Sequence, residues 1–467
     1  MRKLIIIVVF NFYTGIILGQ SFFKYYKDNF NKRILDVIET DSSFLMVGYK
    51  VVDSLNLMKP VIYKVDKTTG NVLKLQEINL PYKESMGVKL IYDKPDFAVI
   101  GSVRDDSSYN YISYLKLNAN FNLIDSNFIF LNKSNGINYL NCKLDNDSNI
   151  IVVGAYKNIF QHSFMYKLNY AGDSLNSYFF SNDTVRLITD LLIDSSNNYY
   201  LFSSYNLKEI FKFNSGFQLK NIYLNTTGAS MVYTPYWMND SVYICGSRYQ
   251  FDKLYLYKAD MNQHLYDSIT FGKKGMYNYP AFFGCLDRNS NYNYYSGTSM
   301  INLGLYGNQR SYIFAVKTDN NLNVIWKKYY GYNAHYFVGK ILATKDGGAL
   351  ITGSIDDIND GINKLDIFLL KLDSLGNTTW VRNIPVSKTG VSLYPNPATS
   401  SINISLEAQG ESIAALSIYD NAGRTLYFSK PDKAKATIDI KRFASGVYFI
   451  KGRTSKGETF VRKFVKE

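Results

Sequence analysis

The stretch FLMVGYK, Phe44–Lys50, is an unbroken apolar run that continues through a glycine. The same pattern returns six more times at intervals of about 51 residues, once with a serine in place of the glycine. The copies are FLMVGYK at Phe44, FAVIGSV at Phe97, IIVVGAY at Ile150, YYLFSSY at Tyr199, VYICGSR at Val242, NYYSGTS at Asn293 and ALITGSI at Ala349. A fixed period of this length indicates an array of one repeated structural unit.

A second marker follows each apolar run: a lysine two residues ahead of an aspartate or asparagine. These pairs are Lys64 and Asp66, Lys116 and Asn118, Lys167 and Asn169, Lys212 and Asn214, Lys258 and Asp260, Lys317 and Asp319, and Lys371 and Asp373. Residues two apart on a strand share a face, and an aspartate or asparagine at the strand's end starts a turn. A polar hairpin turn also precedes each apolar run. Each repeat therefore predicts a first strand, a hairpin, an apolar strand, a variable loop, a lysine-bearing strand, a turn and an outer strand.

The apolar strands do not alternate with polar residues, as expected when both faces of a sheet are covered. In a β-propeller each blade is covered by its two neighbours. We therefore predict an all-β fold with a seven-bladed β-propeller over residues 22–386, the alternatives being an eight-bladed ring or a linear array. FFKYY at Phe22 resembles WKKYY at Trp326, which gives the hypothesis that the Phe22 stretch completes the last blade. TTWVRNI at Thr378 is its rival, and the sequence leaves open which strand closes the ring.

The repeated lysines are interpreted as scaffold, with stems on apolar surface and ammonium groups that reach water. A residue type present in every blade builds the blade, whereas catalysis needs unlike groups gathered at one place. The sequence therefore favours a non-catalytic propeller, and no enzyme activity is predicted. The alternative is a secreted hydrolase of glycosidase or lyase type, with its site at the funnel of the propeller.

Charge and cysteine content exclude other classes of protein. The net charge is +13, but no basic run interleaved with aromatic residues occurs, so a nucleic-acid role is not predicted. Cys142, Cys245 and Cys285 form no CxxC pair and are expected to be buried thiols.

Two stretches are candidate binding sites within the repeats. DDINDGINKLD offers Asp356, Asp357, Asn359 and Asp360 as weak candidate calcium ligands, because calcium prefers oxygen donors; the alternative is a solvated turn, and no other cofactor is predicted. MVYTPYWMND offers a possible ligand surface of aromatic rings for a sugar or peptide. Its candidates are Tyr233, Tyr236 and Trp237, and the alternative is that tyrosine simply suits strands.

The chain opens with MRKLIIIVVFNFYTGIILGQ, in which two cations precede an apolar stretch and a small residue. This order predicts a signal peptide over residues 1–19, cleaved between Gly19 and Gln20, rather than an uncleaved anchor. No later segment approaches the roughly 20 apolar residues that a membrane span requires.

The blade pattern stops after Pro385, and residues 387–390 form a short polar linker. Residues 391–467 are alternating strands separated by glycine and asparagine turns, which predicts a small Ig-like β-sandwich. Pro395 and Pro397 each fix φ and remove a backbone donor, so we expect an extended entry that cannot continue a sheet.

This last segment resembles the type A C-terminal sorting domain of the type IX secretion system. The matching positions are Tyr394, Pro395, Asn396 and Pro397; Tyr419, Asp420, Gly423 and Arg424; Ser445, Gly446, Val447 and Tyr448; and Lys463, Phe464, Val465 and Lys466. Phe443 stands where the family usually has leucine, and Glu467 follows the usual last lysine. An ordinary adhesive Ig-like domain is the alternative.

The resemblance implies export from a Gram-negative bacterium in two steps. The signal peptide takes the chain into the periplasm, and the type IX machinery at the outer membrane recognises the sorting domain and commonly removes it. We therefore predict a secreted or cell-surface propeller that acts as a binding or adhesion module. Its partners would be the secretion machinery and an unknown extracellular ligand, glycan or protein.

Overall fold

The computed structural model describes residues 21–28, 30–52, 57–93, 95–133, 136–157, 161–180, 187–204, 209–224, 231–248, 253–300, 310–357, 364–378, 391–406, 410–420, 425–455 and 459–467. These residues form strands and turns without a helix, which confirms the all-β prediction for the described part of the chain. They fall into two compact units, one up to residue 378 and the other from residue 391. The described residues include no helix of the length and apolarity that a membrane span needs.

The first unit consists of antiparallel groups of strands that follow the repeats, and we number these groups sheets 1 to 7. A parallel bridge from Met58 to Glu84 joins sheets 1 and 2. Sheets 1 and 2 contain β2 (Lys32–Glu39), β3 (Ser43–Val51), β4 (Met58–Asp66) and β5 (Val72–Glu77), then β6 (Glu84–Asp93), β7 (Asp96–Arg104), β8 (Tyr109–Leu117) and β9 (Leu123–Lys133). Sheets 3 and 4 contain β10 (Ile137–Leu144), β11 (Ile150–Lys157), β12 (Gln161–Leu168) and β13 (Ser174–Phe179), then β14 (Leu187–Ile193), β15 (Tyr199–Ser204), β16 (Glu209–Phe213) and β17 (Leu219–Leu224).

The remaining sheets of this unit depart from the simple pattern in two places. Sheet 5 contains β18 (Met231–Trp237), β19 (Val242–Arg248), β20 (Leu254–Asp260) and β21 (Leu265–Phe271). Sheet 6 has a first strand split into β22 (Tyr277–Pro280) and β23 (Leu286–Arg288), followed by β24 (Tyr292–Met300), β25 (Ser311–Asp319) and β26 (Val324–Gly331). Sheet 7 contains β27 (His335–Ala343), β28 (Ala349–Asp356), β29 (Leu365–Leu372) and, from the start of the chain, β1 (Phe22–Tyr26).

In sheets 1, 2, 5 and 7 the marker glycine lies opposite the residue at which a β-bulge begins in the first strand. In sheet 1 the ladder runs from Ile34 opposite Gly48 to Asp36 opposite Val47, so Leu35 is the extra residue. A bulge bends its strand locally and increases its twist. A methyl group added at Gly48 would collide with the carbonyl oxygen of Arg33. The second strand of sheet 1 therefore needs glycine at this point, whereas in sheet 4 Ser203 lies opposite the equivalent bulge.

Hydrophobic clusters join each sheet to the next and cover both faces of the second strands, as predicted. β3 and β28 are buried over most of their length. The cluster between sheets 7 and 1 contains Phe22, Ile34, Val37, Phe44, Met46, Val61, Tyr63, Val65, Leu350, Ile367 and Leu369. The last sheet therefore packs against the first.

The outer strand of sheet 7 is β1, which pairs with β29 from Phe22 opposite Lys371 to Tyr26 opposite Ile367. This pairing confirms the hypothesis that the Phe22 stretch completes the last sheet. Most of its rival, the stretch that starts at Thr378, lies outside the described residues.

The contacts of β1 with sheet 1 match those of β26 with sheet 7. In both places an aromatic ring covers the glycine of a turn, a tyrosine hydroxyl donates to that glycine's carbonyl, and a lysine donates to the following asparagine. For β1 these are Phe22 on Gly70, Tyr26 to Gly70 at 2.7 Å and Lys24 to Asn71 at 3.2 Å; for β26 they are Trp326 on Gly376, Tyr330 to Gly376 at 2.7 Å and Lys328 to Asn377 at 2.6 Å. The chain start thus takes the structural place of a repeat's own outer strand.

Two of the repeated lysines correct the expectation that their ammonium groups reach water. Lys317 is 4% exposed and Lys371 is 2% exposed. Lys371 Nζ lies 2.7 Å from the Asp346 carboxylate, and Lys317 Nζ donates to the Gly347 carbonyl at 3.0 Å. A buried ammonium group must be paired, and here the hairpin of sheet 7 supplies the partners. The scaffold interpretation therefore stands, through buried contacts.

The second unit has two antiparallel sheets around one core. The three-stranded sheet has the order β30 (Val391–Tyr394), β31 (Ser401–Leu406) and β34 (Lys435–Asp439). The four-stranded sheet has the order β33 (Thr425–Ser429), β32 (Ile413–Asp420), β35 (Gly446–Thr454) and β36 (Thr459–Lys466). The core between them includes Ile402, Ile404, Leu416, Ile418, Ile438 and Ile450.

Candidate functional site

Charged side chains from the first strands of several sheets meet in the interior of the first unit. Lys89, on β6, donates from Nζ to the carbonyl oxygen of Phe283 at 3.3 Å. Phe283 lies in sheet 6, so this bond joins two sheets that are not neighbours along the chain. We call the charged group around it the central cluster; its members are Asp36, Lys89, Lys143, Asp190, Tyr236, Asp287 and Lys340.

Asp36 is the best-paired carboxylate of the central cluster. Its side chain forms an ion pair with Lys340, lies 4.0 Å from Lys89 Nζ and accepts the backbone N–H of Leu90 at 2.9 Å. Burial alone would raise the pKa of Asp36, but the two ammonium groups and the N–H outweigh it and lower the pKa. Asp36 therefore stays ionised.

Asp190 is held in the same way by sheets 3 and 5. Lys143 Nζ lies 3.6 Å from Asp190 Oδ1, and Thr234 donates its backbone N–H to Asp190 Oδ2 at 2.9 Å. Lys143 Nζ also lies 5.3 Å from the ring centroid of Tyr236, within the range of a cation–π contact. Burial lowers the pKa of Lys143 in spite of these partners.

Asp287 accepts the hydroxyl of Tyr236 at 3.1 Å and the backbone N–H of Ala343 at 2.7 Å. Burial raises the pKa of Asp287, and this effect outweighs the Lys340 ammonium group and the hydrogen bonds that the carboxylate accepts. Each of the three aspartates thus accepts an N–H from the first strand of the next sheet. The carboxylates bind neighbouring sheets together at the centre.

An apolar pocket lies directly beside the central cluster. It has a volume of about 160 Å³, and we call it the central pocket. Its lining residues are Leu35, Tyr49, Met86, Val88, Ser102, Ile137, Tyr139, Leu140 and Phe283. They come from sheets 1, 2, 3 and 6. Apolar cavities of this size hold a benzene-sized group.

The structure places the predicted aromatic candidates in different surroundings. Tyr236 belongs to the central cluster. Trp237 lines a second pocket, of about 280 Å³, together with Asp194, Ser195, Met238, Asn239 and Asp240. The side chain of Tyr233 lies outside the described part of the structure. Tyr236 and Trp237 therefore do not present one common surface.

The other candidate residues show no shared site. Asp357 forms an ion pair with Lys27 at 2.8 Å, and Asp356 ends β28, whereas Asn359 and Asp360 lie outside the described residues. Within the described residues no three histidine, cysteine or acidic side chains are grouped as a metal site would require. The predicted cleavage residues Gly19 and Gln20 also lie outside the described part.

The three cysteines are buried and form no disulfide, as expected. Burial raises the pKa of the Cys142 thiol to about 12 and also raises that of Cys285. Thiols of this kind are unreactive near neutral pH.

Apart from Tyr236, sequence reasoning missed the central cluster and Phe283. The available sign was a polar residue at the same place in otherwise apolar first strands, as in ILDV, GVKL, ITDL and GKIL. These residues differ in type from repeat to repeat, so a search for shared residues passed over them. Phe283 lies in the insertion that splits the first strand of sheet 6.

In the second unit the two ends of the sorting motif lie against each other. Asn396 donates from Nδ2 to the carbonyl of Lys463 at 3.2 Å, and its Oδ1 accepts the backbone N–H of Val465 at 2.9 Å. Ala398 adds a backbone bond to Val465 at 2.8 Å. The amide of Asn396 thus pairs with the edge of β36 where the flanking prolines have no N–H to offer.

The middle motif supports the last strand from inside. Tyr448 is buried, its ring stacks 5.5 Å from that of Phe464, and its hydroxyl donates to the Ala444 carbonyl at 2.6 Å. Asp420 lies opposite Tyr448 in the ladder, and Gly446 lies opposite Lys466. Gly423 and Arg424 lie outside the described residues. Tyr394, Pro395, Asn396, Pro397 and Lys463 are exposed.

Solved structures similar to this chain have low sequence identity to it. One is PorZ, a bacterial surface component of the type-IX secretion system of Porphyromonas gingivalis, with 10% identity, a TM-score of 0.33 and coverage of 93% of this chain and 75% of PorZ. YCF48 bound to D1 peptide has 11% identity, a TM-score of 0.45 and coverage of 74% and 96%. Sqt1 from Chaetomium thermophilum has 12% identity, a TM-score of 0.41 and coverage of 72% and 81%.

A comparison with curated proteins gives no match. A family model does match the second unit: the secretion system C-terminal sorting domain, over residues 392–467. The match covers the sorting motifs at both ends of the segment. Residues 392–467 are therefore a C-terminal sorting domain of the type IX secretion system, which implies export to the cell surface or the medium.

Proposed function

We propose that this chain is an exported, non-catalytic binding protein whose ligand site is the central pocket. In this proposal the sorting domain, an Ig-like sandwich, delivers the first unit to the outside, where it binds a protein or peptide without a cofactor. The observation that carries the proposal is the central pocket itself, because side chains from four sheets line one apolar space of about 160 Å³.

The first unit is proposed to be a seven-bladed β-propeller in which each numbered sheet is one blade. The packing of sheet 7 against sheet 1 and the matching contacts of β1 and β26 support a closed ring. A linear array would leave the outer faces of its first and last sheets uncovered. The central pocket would then lie at the axis, where propellers leave a channel.

An apolar side chain of a peptide suits the central pocket better than a sugar. Most lining residues are aliphatic or aromatic, and an apolar pocket offers few partners for the many hydroxyls of a glycan. Binding would remove the apolar group from water, which contributes about 25 cal/mol for each Å² buried. The paired charges of the central cluster would hold the surrounding strands in place.

A secreted hydrolase is the second candidate, favoured by one observation. Asp287 has a raised pKa and a hydrogen bond from Tyr236, as a general acid could have. Against it, the backbone N–H of Ala343 and the Tyr236 hydroxyl already occupy both oxygens of Asp287.

The test is a peptide and glycan array probed with the exported protein, beside a panel of hydrolase substrates. We expect binding to peptides that carry large apolar residues. Phe283→Ala should weaken this binding about tenfold, as loss of an aromatic anchor does at other sites. Phe179→Ala is the matched control, because Phe179 is 45% exposed on the outer strand of sheet 3.

Two results would overturn the proposal. One is equal peptide binding by the Phe283→Ala and Phe179→Ala proteins. The other is turnover of a substrate that disappears in Asp287→Asn, which would support the hydrolase.

A further inference from the structure

The four-stranded sheet of the sorting domain has one face turned to the core and one turned outward. Along β35 the even-numbered residues Tyr448, Ile450 and Gly452 are buried, whereas Phe449 and Lys451 are exposed. This strict alternation separates the two faces of a half-covered sheet. The strand pairings therefore identify the residues that lie on the outward face.

Aromatic rings occupy one part of the outward face. In one row Tyr419 lies opposite Phe449, and Phe449 lies opposite Lys463. In the next row Phe428 lies opposite Ser417. Phe428 is 60% exposed and Phe449 is 38% exposed. Phe428 and Phe449 thus lie on either side of β32 on one sheet face, and large apolar side chains left exposed on one face mark an interaction site.

Cations flank the rings on the same face. Lys451, Arg453 and Lys463 are exposed and share the outward side of β35 and β36 with Phe449. Among the described residues of the four strands, no acidic side chain alternates onto this face. We call the set Tyr419, Phe428, Val447, Phe449, Lys451, Arg453 and Lys463 the aromatic face.

We propose that the aromatic face is where the sorting domain docks on its export machinery, through an apolar protein surface flanked by carboxylates. The inference rests on the export function of this domain. Charge complementarity selects an acidic partner, since opposite charge on the partner speeds encounter and fixes the register of docking. The exposed rings would become buried against the partner and supply the affinity.

The aromatic face also adjoins the sorting motif. Lys463 belongs to the last motif, and its carbonyl accepts the Asn396 amide that holds the first motif against β36. Loss of this bond would release the edge of the strand that carries Lys463. The motif therefore acts here as a positioning element for the docking face.

A protein partner fits this face better than a lipid membrane. Side chains on a sheet face stand roughly perpendicular to the sheet, so the rings could not enter the hydrocarbon layer without the neighbouring cations. A protein can instead place a carboxylate opposite each cation. An anionic lipid surface is the competing occupant that the test must separate.

The test compares export of full-length variants in a host with type IX secretion. One variant combines Phe428→Ser with Phe449→Ser, and another combines Lys451→Glu with Arg453→Glu. The matched control combines Lys433→Glu with Lys435→Glu, which makes the same charge change at exposed positions away from the aromatic face. We expect roughly tenfold less protein outside the cell for both face variants, with protease-resistant protein left in the periplasm, and normal export of the control.

The outcomes separate the docking face from the sorting function. If deletion of residues 391–467 leaves export unchanged, the sorting function is wrong. If the deletion stops export but the face variants are exported like the control, the docking face alone is wrong. Sedimentation of the wild-type protein with phosphatidylglycerol vesicles, lost in the Lys451→Glu and Arg453→Glu variant, would assign the face to lipid and overturn the protein partner.

Discussion

At several positions in this protein, the residue type is determined by the backbone groups that lie against its side chain. The marker glycines of sheets 1, 2, 5 and 7 lie opposite first-strand bulges, and the turn aspartates accept backbone N–H groups that hold the hairpins closed. Asp145, for example, accepts two backbone N–H groups of its own turn, those of Asp147 and Asn149. A turn aspartate that bonds its own backbone in this way is a common device, and the repeats reuse it.

Gly101 tests the explanation of the marker glycines. A methyl group there would collide with the Met86 carbonyl, so Gly101→Ala should destabilise the first unit by about 1–3 kcal/mol, the range for overpacking. Gly216→Ala is the control, since an added methyl group there would meet only Asn214 Oδ1, at 3.7 Å. Urea unfolding measures both. Equal midpoints for the two variants would contradict the explanation.

Asp145 should make the free energy of unfolding depend on pH in the acidic range. Burial raises its pKa, but the turn's N–H groups and Lys167, 3.1 Å away, lower it overall. A carboxylate with a lowered folded pKa stabilises the protein above its ordinary pKa, and this contribution is lost as the pH falls through the folded value. The free energy of unfolding should therefore fall less between pH 7 and pH 3 in Asp145→Asn than in wild type. In wild type this fall should start below about pH 4.

The control for this pH dependence is Asp125→Asn, which removes an exposed carboxylate on an outer strand. It should keep the acid sensitivity of the wild type. The same acid sensitivity in Asp145→Asn would show that the hairpin carboxylate does not titrate with folding.

At the scale of elements, the first unit closes with a strand from the chain start. Each other sheet takes its outer strand from its own repeat, whereas sheet 7 takes β1, which precedes sheet 1 in sequence. Three strands of sheet 7 come from the end of the first unit, and one strand, β1, comes from its beginning. Sheet 7 thus ties the beginning of the first unit to its end. Loss of β1 would expose an edge of β29.

Phe22 is a buried residue of β1 that packs against sheet 1. It is 5% exposed and its ring covers Gly70, so Phe22→Ala should cost about 3–5 kcal/mol of folding stability. Trp326→Ala, at the equivalent place on β26, should cost a similar amount. Lys24→Ala, on the same strand, removes a single hydrogen bond to Asn71 and should cost far less. Thermal unfolding checks the three variants. If the unfolding midpoint of Phe22→Ala equals that of wild type, β1 does not stabilise the first unit by completing sheet 7.

The strand order could be predicted because it leaves a periodic trace in the sequence. The apolar runs, hairpin turns and lysine pairs are each dictated by one local rule, so they recur in every repeat. The bulges, the burial of Lys371 and the central cluster could not be predicted, since they depend on which carbonyl or charge the next strand supplies. The sorting segment was recognisable from its motifs, but the pairing of Asn396 with β36 is a contact across 69 residues.

At the scale of the whole molecule, the two units have separate cores, and in the proposed function the second delivers the protein while the first binds its ligand. Each unit has its own hydrophobic clusters. A unit with its own core is able to fold without its neighbour. Removal of the sorting domain after export would therefore leave the first unit intact.

Deletion of residues 391–467 tests this division. The shortened chain should accumulate in the periplasm, because the residues that match the sorting family are gone. The first unit should nonetheless unfold at the same temperature as in the full chain, within the few tenths of a kcal/mol expected for independent parts. Fractionation and calorimetry of the periplasmic protein measure the two properties separately. A shortened chain that reaches the cell surface would contradict the sorting role, whereas one that unfolds much earlier would show that the second unit stabilises the first.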